Sequence, residues 1–292
     1  MDEGLRKSFK YKLKPTPEQA RQLERTLMLC RHVYNAAIGE RREAWRMRGI
    51  SVSYYQQKAE LPGIKADTPE YAEVNSKVLQ DVVLRVERAF QAFFRRVQAG
   101  ETVGYPRFQG RNRYHSFTYP QVGEHGSARL DNGFLVLSKI GRVRVRWSRP
   151  LEGTPKTVTL SREADGWYVI FSCAEAPAQP LPSTGRETGI DVGLKVFLIT
   201  ADGQVVENPR HYRRGEKKLK KAQRSVSRRT KGSNGRHQAV GHLQRAHQHV
   251  QRQRADFHHK TALALLRQYD TIYLEDLQVA NLVRNRHLAK SI

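Results

Sequence analysis

The sequence predicts an α+β protein of more than one domain, and three observations predict it. Apolar side chains recur at helical spacing through the first hundred residues. They alternate with polar ones from about Gly104 to Cys173. Beyond a proline-rich stretch they return as short strands separated by a long basic helical pair. The 292 residues suffice for about two domains at roughly 150 each, and a hydrophobic content of 38% can bury a real core.

Phe9, Tyr11 and Leu13 alternate with Lys10, Lys12 and Lys14, which predicts a short opening strand. Thr16-Pro17-Glu18-Gln19 then supplies an N-cap, a proline at the first helical position and a capping-box glutamine. Leu23, Leu27, Cys30, Tyr34, Ala37 and Ile38 keep helical spacing until Gly49, leaving Arg21, Arg25, Arg31, Arg41 and Arg42 for the other faces. A second long helix is expected from about Pro69 to Gly100, with Val74, Val78, Val82, Val86, Phe90, Phe93 and Val97 on its buried side.

The alternating segment pairs Phe134 with Val136, Val143 and Val145 with Trp147, Val158 with Leu160, and Trp167 and Val169 with Phe171. Asp-Asn-Gly, Ile-Gly-Arg and Asp-Gly turns separate them, so an antiparallel sheet or small barrel is expected. Successive side chains of a strand alternate, so Arg142, Arg144 and Arg146 share the face opposite the apolar residues. Three arginines in a row form a track for phosphates, with an ordinary solvated face as the alternative. Tyr105, Phe108, Tyr114, Phe117 and Tyr119, interleaved with Arg107, Arg111 and Arg113, could stack on unpaired bases or pack in the core.

Pro177, Pro180 and Pro182 among Ala, Ser and Gly mark the domain boundary. After it, Gly189 to Thr200 and Gln204 to Val206 make a strand, a reversal and a returning strand. Two basic helices broken at Gly232-Ser233-Asn234-Gly235 should form a hairpin. Tyr212, Leu219, Ala222 and Val226 make one seam, and Val240, Leu243, Val250, Phe257 and Ala264 the other, with His247 and Arg254 between them. Asp270 to Leu277 is a last apolar strand ending in two acids.

Lys plus Arg number 52 against 28 Asp plus Glu, a net charge of +24. So large an excess points first to a polyanionic partner, nucleic acid before an acidic membrane surface. No stretch approaches the ~20 apolar residues of a membrane span, and the N-terminal residues lack a signal-peptide core, so a soluble, cytoplasmic protein is expected. Cys30 and Cys173 belong to no C-x-x-C pair and are expected to be buried thiols. From Arg210 to Arg254 acids are nearly absent. Lys217, Lys221, Arg224 and Arg228 fall on one stripe flanked by Lys218, Lys220 and Arg229, where like-charge repulsion would be relieved by a phosphate backbone. His242, His247, His249, His258 and His259 spread around their helix without a cysteine, which argues against a metal site, and His247 on the seam is expected to be packed or hydrogen-bonded.

Asp191 lies inside an apolar strand and Glu275 at the carboxyl end of another. Burying a carboxylate beside Ile190 and Val192 is costly unless something neutralises it, and a divalent cation would. If the two strands are neighbours and parallel, the carboxylates converge at one end of the sheet, as metal-assisted phosphodiester hydrolysis needs. A capping role for Asp191 and a surface role for Glu275 is the alternative.

Gly189-Ile190-Asp191-Val192-Gly193 and Ile272-Tyr273-Leu274-Glu275-Asp276-Leu277, about 80 residues apart, resemble the first and second RuvC motifs of the TnpB (OrfB) family. That family comprises transposon-encoded relatives of type V CRISPR effectors. Lys12 to Gln19 with Arg31-His32-Val33-Tyr34-Asn35, Gly104-Tyr105-Pro106-Arg107-Phe108 with Ser116 to Tyr119, and Asp256 to Lys260 resemble further segments, so the resemblance covers nearly the whole chain. It implies an antiparallel, wedge-like β-barrel from residues 1–15 and 101–175, an inserted helical recognition bundle over 16–100, a linker over 176–188 and an incomplete ribonuclease-H-like (RuvC) α/β domain over 189–292.

The activity so implied is RNA-guided, metal-dependent DNA endonuclease chemistry, with a guide RNA from the transposon end and target duplex DNA as partners and no membrane. Asp191 and Glu275 would be catalytic carboxylates holding Mg²⁺ or Mn²⁺, Glu275 rather than Asp276 by motif position. Tyr105, Arg107, Phe108, the three arginines of the strand and the basic stripe would hold nucleic acid. The family's paired C-x-x-C zinc ligands and its third acidic motif are missing from this sequence. A truncated copy, an interrupted gene or an incomplete gene model with impaired cleavage is therefore expected. The rival expectations are a non-cleaving RNA- and DNA-binding protein derived from a transposon and a generic basic RNA-packaging protein.

Overall fold

A computed structural model describes residues 5–285 and 289 of the chain. The outermost parts of the two terminal domains expected from sequence (1–4, 286–288 and 290–292) lie outside the described residues. The chain divides into two compact units, one up to Ala178 and one from Gln179.

The first unit opens with β1 (Leu5–Lys14), followed by helices α1 (Pro17–Arg48) and α2 (Tyr54–Asp67), a 3-10 turn (Pro69–Glu73) and α3 (Ser76–Gln98). Six strands follow: β2 (Ser116–Tyr119), β3 (Ala128–Asp131), β4 (Phe134–Leu137), β5 (Gly141–Arg146), β6 (Thr154–Glu163) and β7 (Gly166–Ala176). The Thr16 hydroxyl accepts from the Gln19 N–H and the Gln19 carboxamide accepts from the Thr16 N–H, a complete capping box. α1 ends at Gly49 in the left-handed region (φ 63°), where a residue without Cβ is least strained.

The seven strands form one antiparallel sheet in the order β2-β6-β7-β1-β5-β4-β3. Its edge strands β2 and β3 are consecutive in the chain, and Val122, three residues past β2, bridges to Ala128 at the start of β3. A flat sheet would hold these edges about 29 Å apart at ~4.8 Å per strand. The sheet therefore curls. Asn132 (φ 45°) and Gly133 (φ 78°) make the tight β3–β4 turn that the Asp-Asn-Gly signal predicts. One apolar core joins Leu23, Leu27 and Ile38 of α1, Val78, Val82 and Val86 of α3, and Tyr11, Phe117, Val143, Leu160 and Phe171 of the sheet. Both cysteines are buried free thiols, and desolvation pushes the Cys30 thiol up to about 12.

Several expectations need correction. The second long helix begins at Ser76, capped by Asn75, because Pro69–Glu73 forms a separate 3-10 turn. α2 was not anticipated, although Ser53 and Gln56 form a capping box like that of α1. In β4 the core face is Leu135 and Leu137, not Phe134 and Val136. Phe134 instead lies under the Arg142 guanidinium, 4.4 Å from ring centroid to cation, on the outer face. Arg41 is not on an outer face of α1: it continues the stripe of Tyr34 and Ile38 and is buried.

The second unit comprises β8 (Glu187–Val192), β9 (Val196–Thr200), β10 (Val205–Glu207), helices α4 (His211–Ser227) and α5 (Asn234–Leu266), β11 (Thr271–Leu274) and the short α6 (Val279–Leu282). The strand order is β10-β9-β8-β11, with β8 and β9 antiparallel and β11 parallel to β8. The α4 seam is as expected, with Leu219 and Val226 buried. Gly215 belongs to it as well, since a Cβ there would meet Val250 Cγ2 at 2.7 Å. The α5 seam is shifted: Ala239, Ala246 and Val250 are buried, whereas Ala264 and His247 are exposed. The small Ala246, beside Val250, admits the bulkier Leu219.

Candidate functional site

The position of β11 is set by one carboxylate. Asp270, just before the strand, accepts from Ser183 Oγ (2.6 Å), Thr184 Oγ1 (3.0 Å) and the N–H groups of Thr184 and Gly185 (2.9 and 2.8 Å), while its own N–H donates to Arg186 O. These bonds pin the segment entering β8 to the start of β11, and they hold the Asp270 carboxyl at about 2, below its usual 3.8. A carboxyl with a depressed pKa contributes stability that is complete above its unfolded value and is lost as pH falls through the folded one. The difference in unfolding midpoint between the wild type and Asp270→Asn is therefore expected to be constant from neutral pH down to about 5, and to vanish as pH falls toward about 2. A difference that persists unchanged at pH 2 would contradict this role.

From that anchor the parallel register runs Thr271 opposite Glu187, Ile272 opposite Thr188, Tyr273 opposite Gly189 and Leu274 opposite Ile190. The next residue on each strand is a carboxylate: Asp191 on β8 and Glu275 directly after β11. Neighbouring strands lie about 4.8 Å apart, so the two acids leave the ladder at the same end and level. Both are exposed. The burial argued from Ile190 and Val192 is thus corrected: Val192 is itself 42% exposed, and Asp191 bears no desolvation cost that needs an ion. Among the described residues no group of three or more His, Cys, Asp and Glu side chains is gathered for a metal, the five histidines of α5 included. His258 stacks on Phe197, and desolvation, with Arg254, His259 and His211 nearby, lowers its pKa.

On α4 and just past its end the side chains of Lys217, Lys218, Lys220, Lys221, Arg224, Arg228 and Arg229 are exposed, with Lys217, Lys221, Arg224 and Arg228 opposite the seam. Lys220 pairs with Glu216 at 3.0 Å, whereas Lys217, Lys221, Arg224 and Arg228 have no ionic partner among the described residues.

In the first unit Arg142, Arg144 and Arg146 are exposed, with Val143 and Val145 buried between them. The register adds a feature that the strand alone does not reveal: Lys12 sits opposite Arg146 and Lys14 opposite Arg144. Like charges directly opposite one another destabilise a sheet. Arg142 reaches Asp131 at 3.5 Å and Lys12 reaches Asp165 at 2.9 Å, leaving Lys14, Arg144 and Arg146 as uncompensated cations among the described residues. The aromatic run splits in two. Tyr114, Phe117 and Tyr119 are core residues, whereas Tyr105 and Phe108 are exposed with Arg107 on an irregular segment that follows α3. Arg42, Trp45 and Arg46 of α1 line a surface cavity together with Tyr105, Arg107 and Phe108; the sequence singles out neither Trp45 nor Arg46, and gives Arg42 only as an outer-face arginine. Their signal was Trp45, too large and apolar to stand alone beyond the end of the buried stripe.

A family model described as "Probable transposase" matches residues 170–286, and one described as "Helix-turn-helix domain" matches 1–49, where the described residues form β1 and α1. A protein of Streptomyces pristinaespiralis is 38% identical over 300 residues, covering 100% of this chain and 72% of that protein. InsQ of Escherichia coli (strain K12) is 29% identical over 282 residues, covering 95% and 68%. Both carry the name "Putative RNA-guided DNA endonuclease". A solved Cas12f1–sgRNA–target DNA complex matches 97% of this chain and 76% of that one at 12% identity and a TM-score of 0.38, which carries no weight here. The sequence relatives suffice: the chain belongs to the TnpB/OrfB family.

Proposed function

We propose that this protein is a TnpB-type RNA-guided, metal-dependent DNA endonuclease, with a guide RNA derived from a transposon end and target duplex DNA as its partners. On this reading the curled sheet acts as the wedge barrel, α1 to α3 as the recognition insertion and the second unit as the RuvC-type nuclease. The observation that carries it is the parallel β8–β11 register, which brings Asp191 and Glu275 to one end of the sheet. The names of the relatives and the net charge of +24 support it.

Two exposed carboxylates are a hard-oxygen donor set that suits Mg²⁺ or Mn²⁺, since Mg²⁺ is usually held by one or two carboxylates and completes its shell with water and substrate phosphate. Bound there, the ion would supply Lewis-acid activation of a phosphodiester. Asp191 and Glu275 orient and charge-balance that end of the sheet. Lys217, Lys221, Arg224 and Arg228 neutralise backbone phosphates, and Arg144, Arg146 and Lys14 do the same on the first unit. Among the described residues no group of three or more His, Cys, Asp and Glu side chains is gathered that could hold zinc.

The test is to purify the chain, sequence the RNA that accompanies it, and incubate the complex with matching duplex in Mg²⁺ or in chelator. Retained RNA and Mg²⁺-dependent cutting that Asp191→Ala abolishes are the expected results. RNA retention without cutting would instead establish a non-cleaving nucleic-acid carrier, and absence of bound RNA would overturn both.

A further inference from the structure

Helix α1 presents Asn35, Gly39, Arg42 and Arg46 at intervals of four, three and four residues, one stripe along its surface. The segment after α3 lies along that stripe. Asn35 Nδ2 donates to Gln109 O (3.0 Å) and the Gln109 N–H donates to Asn35 Oδ1 (2.7 Å), a two-bond clasp like a strand pairing. Phe108 rests against Gly39, with its ring edge 3.8 Å from where a Cβ would stand. Tyr105 is fixed edge-on against Phe90 and Phe93 of α3, at centroid distances of 5.4 and 5.3 Å. Between them opens a cavity of about 670 Å³, within the size range of small-ligand sites, roughly 300–1,000 Å³.

Its walls have an unusual composition. Trp45, Phe108 and Tyr105 are 64%, 48% and 40% exposed, and Arg42, Arg46 and Arg107 stand among them. None of these arginines has an acidic partner among the described residues. Leaving three large aromatic faces in water forfeits burial that each could gain, while three guanidinium groups in the same place disfavour closure by an apolar protein surface. Flat π-faces beside guanidinium groups match one chemistry closely: a planar base with a phosphate on either side.

The geometry points to this cavity as a binding site for an unpaired nucleotide of RNA, its base stacked on Trp45 or Phe108 and its flanking phosphates held by Arg42, Arg46 and Arg107. RNA is favoured over duplex DNA because the bases of a duplex are already stacked, whereas RNA loops and bulges splay bases that a pocket can receive. The choice of RNA rests on the guide-RNA reading above. The stacking site itself rests on the cavity.

The experiment uses the full chain with a fluorescent 12-nucleotide RNA that does not self-pair, the same RNA as a duplex, and a single-stranded DNA of equal sequence. Trp45→Ala and Phe108→Leu are each expected to weaken single-stranded RNA binding by about 5- to 150-fold, the effect of losing one stacking platform, with duplex affinity within about twofold. Arg107→Gln is expected to flatten the log–log salt dependence by about 0.7. Far-UV circular dichroism is the control for folding, and Trp45→Ala, whose side chain is exposed, is expected to keep the wild-type spectrum. Equal affinity of both aromatic variants for the single strand, or equal loss on the duplex, overturns the site. A larger loss on single-stranded DNA than on RNA overturns the choice of RNA. A wild-type chain that binds no RNA at all sinks the proposed function instead, and so the two failures are distinguishable.

Discussion

Glu87→Ala is expected to lower the unfolding midpoint of the first unit by about 5–10 °C, the equivalent of roughly 2–3 kcal/mol in a unit of this size. The Arg41 guanidinium lies between three helices. Its Nη1 reaches Glu87 Oε2 of α3 at 2.7 Å, its Nε donates to Gln57 Oε1 of α2 at 2.8 Å, and its plane stands 5.2 Å from the Phe90 ring centroid. Gln57 is in turn held by Ala37 O and Glu40 Oε2. The Arg41 side chain is only 8% exposed, so removing its carboxylate strands a cation that water cannot reach. Glu87 is 24% exposed, which keeps the expected loss below that of a fully buried pair. The double variant Arg41→Met, Glu87→Leu removes both charges and should recover most of the midpoint. Thermal circular dichroism of the three proteins decides it: a Glu87→Ala midpoint within 1 °C of wild type would show that Arg41 does not need this partner.

Arg41 also illustrates what sequence can and cannot disclose. The capping boxes at Thr16 and Ser53 are legible because every group in them lies within four residues. The α1 stripe is legible as far as Ile38, but its next member is an arginine. Only the arrival of Glu87 and Gln57 from elsewhere in the chain makes that position an interior one. In β4 both parities are apolar, Phe134 and Val136 against Leu135 and Leu137, so alternation alone could not choose the core face. The tertiary packing decides it: Leu135 and Leu137 join the core, and Phe134 lies under Arg142 of β5 on the other face. The candidate carboxylates were legible as residues and as strand ends, while their common level came from the Asp270 clasp, which joins positions more than 80 residues apart. The arginine track was visible on one strand. Its opposing lysines needed the register.

Replacing Lys217, Lys221, Arg224 and Arg228 together by glutamine is expected to reduce affinity for single-stranded nucleic acid by about 200-fold at 0.15 M salt. Each neutralised phosphate releases about 0.7 of a counterion, worth a factor of about 4 at that concentration, and four such factors multiply. The slope of log affinity against log salt should become shallower by about 2.8. These positions suit the test because they lie on the exposed stripe, away from Leu219 and Val226 of the seam, and because the Lys220–Glu216 pair is left intact. Their mutual repulsion at helical spacing destabilises α4 in the free protein, so removing it should leave helicity unchanged or slightly raised. Loss of affinity together with retained ellipticity would thus separate binding from folding. If affinity stays within threefold and the salt slope is unaltered, the stripe is a solvated face. The uncompensated cations of the first unit, Lys14, Arg144 and Arg146, would then be the contacts to neutralise next.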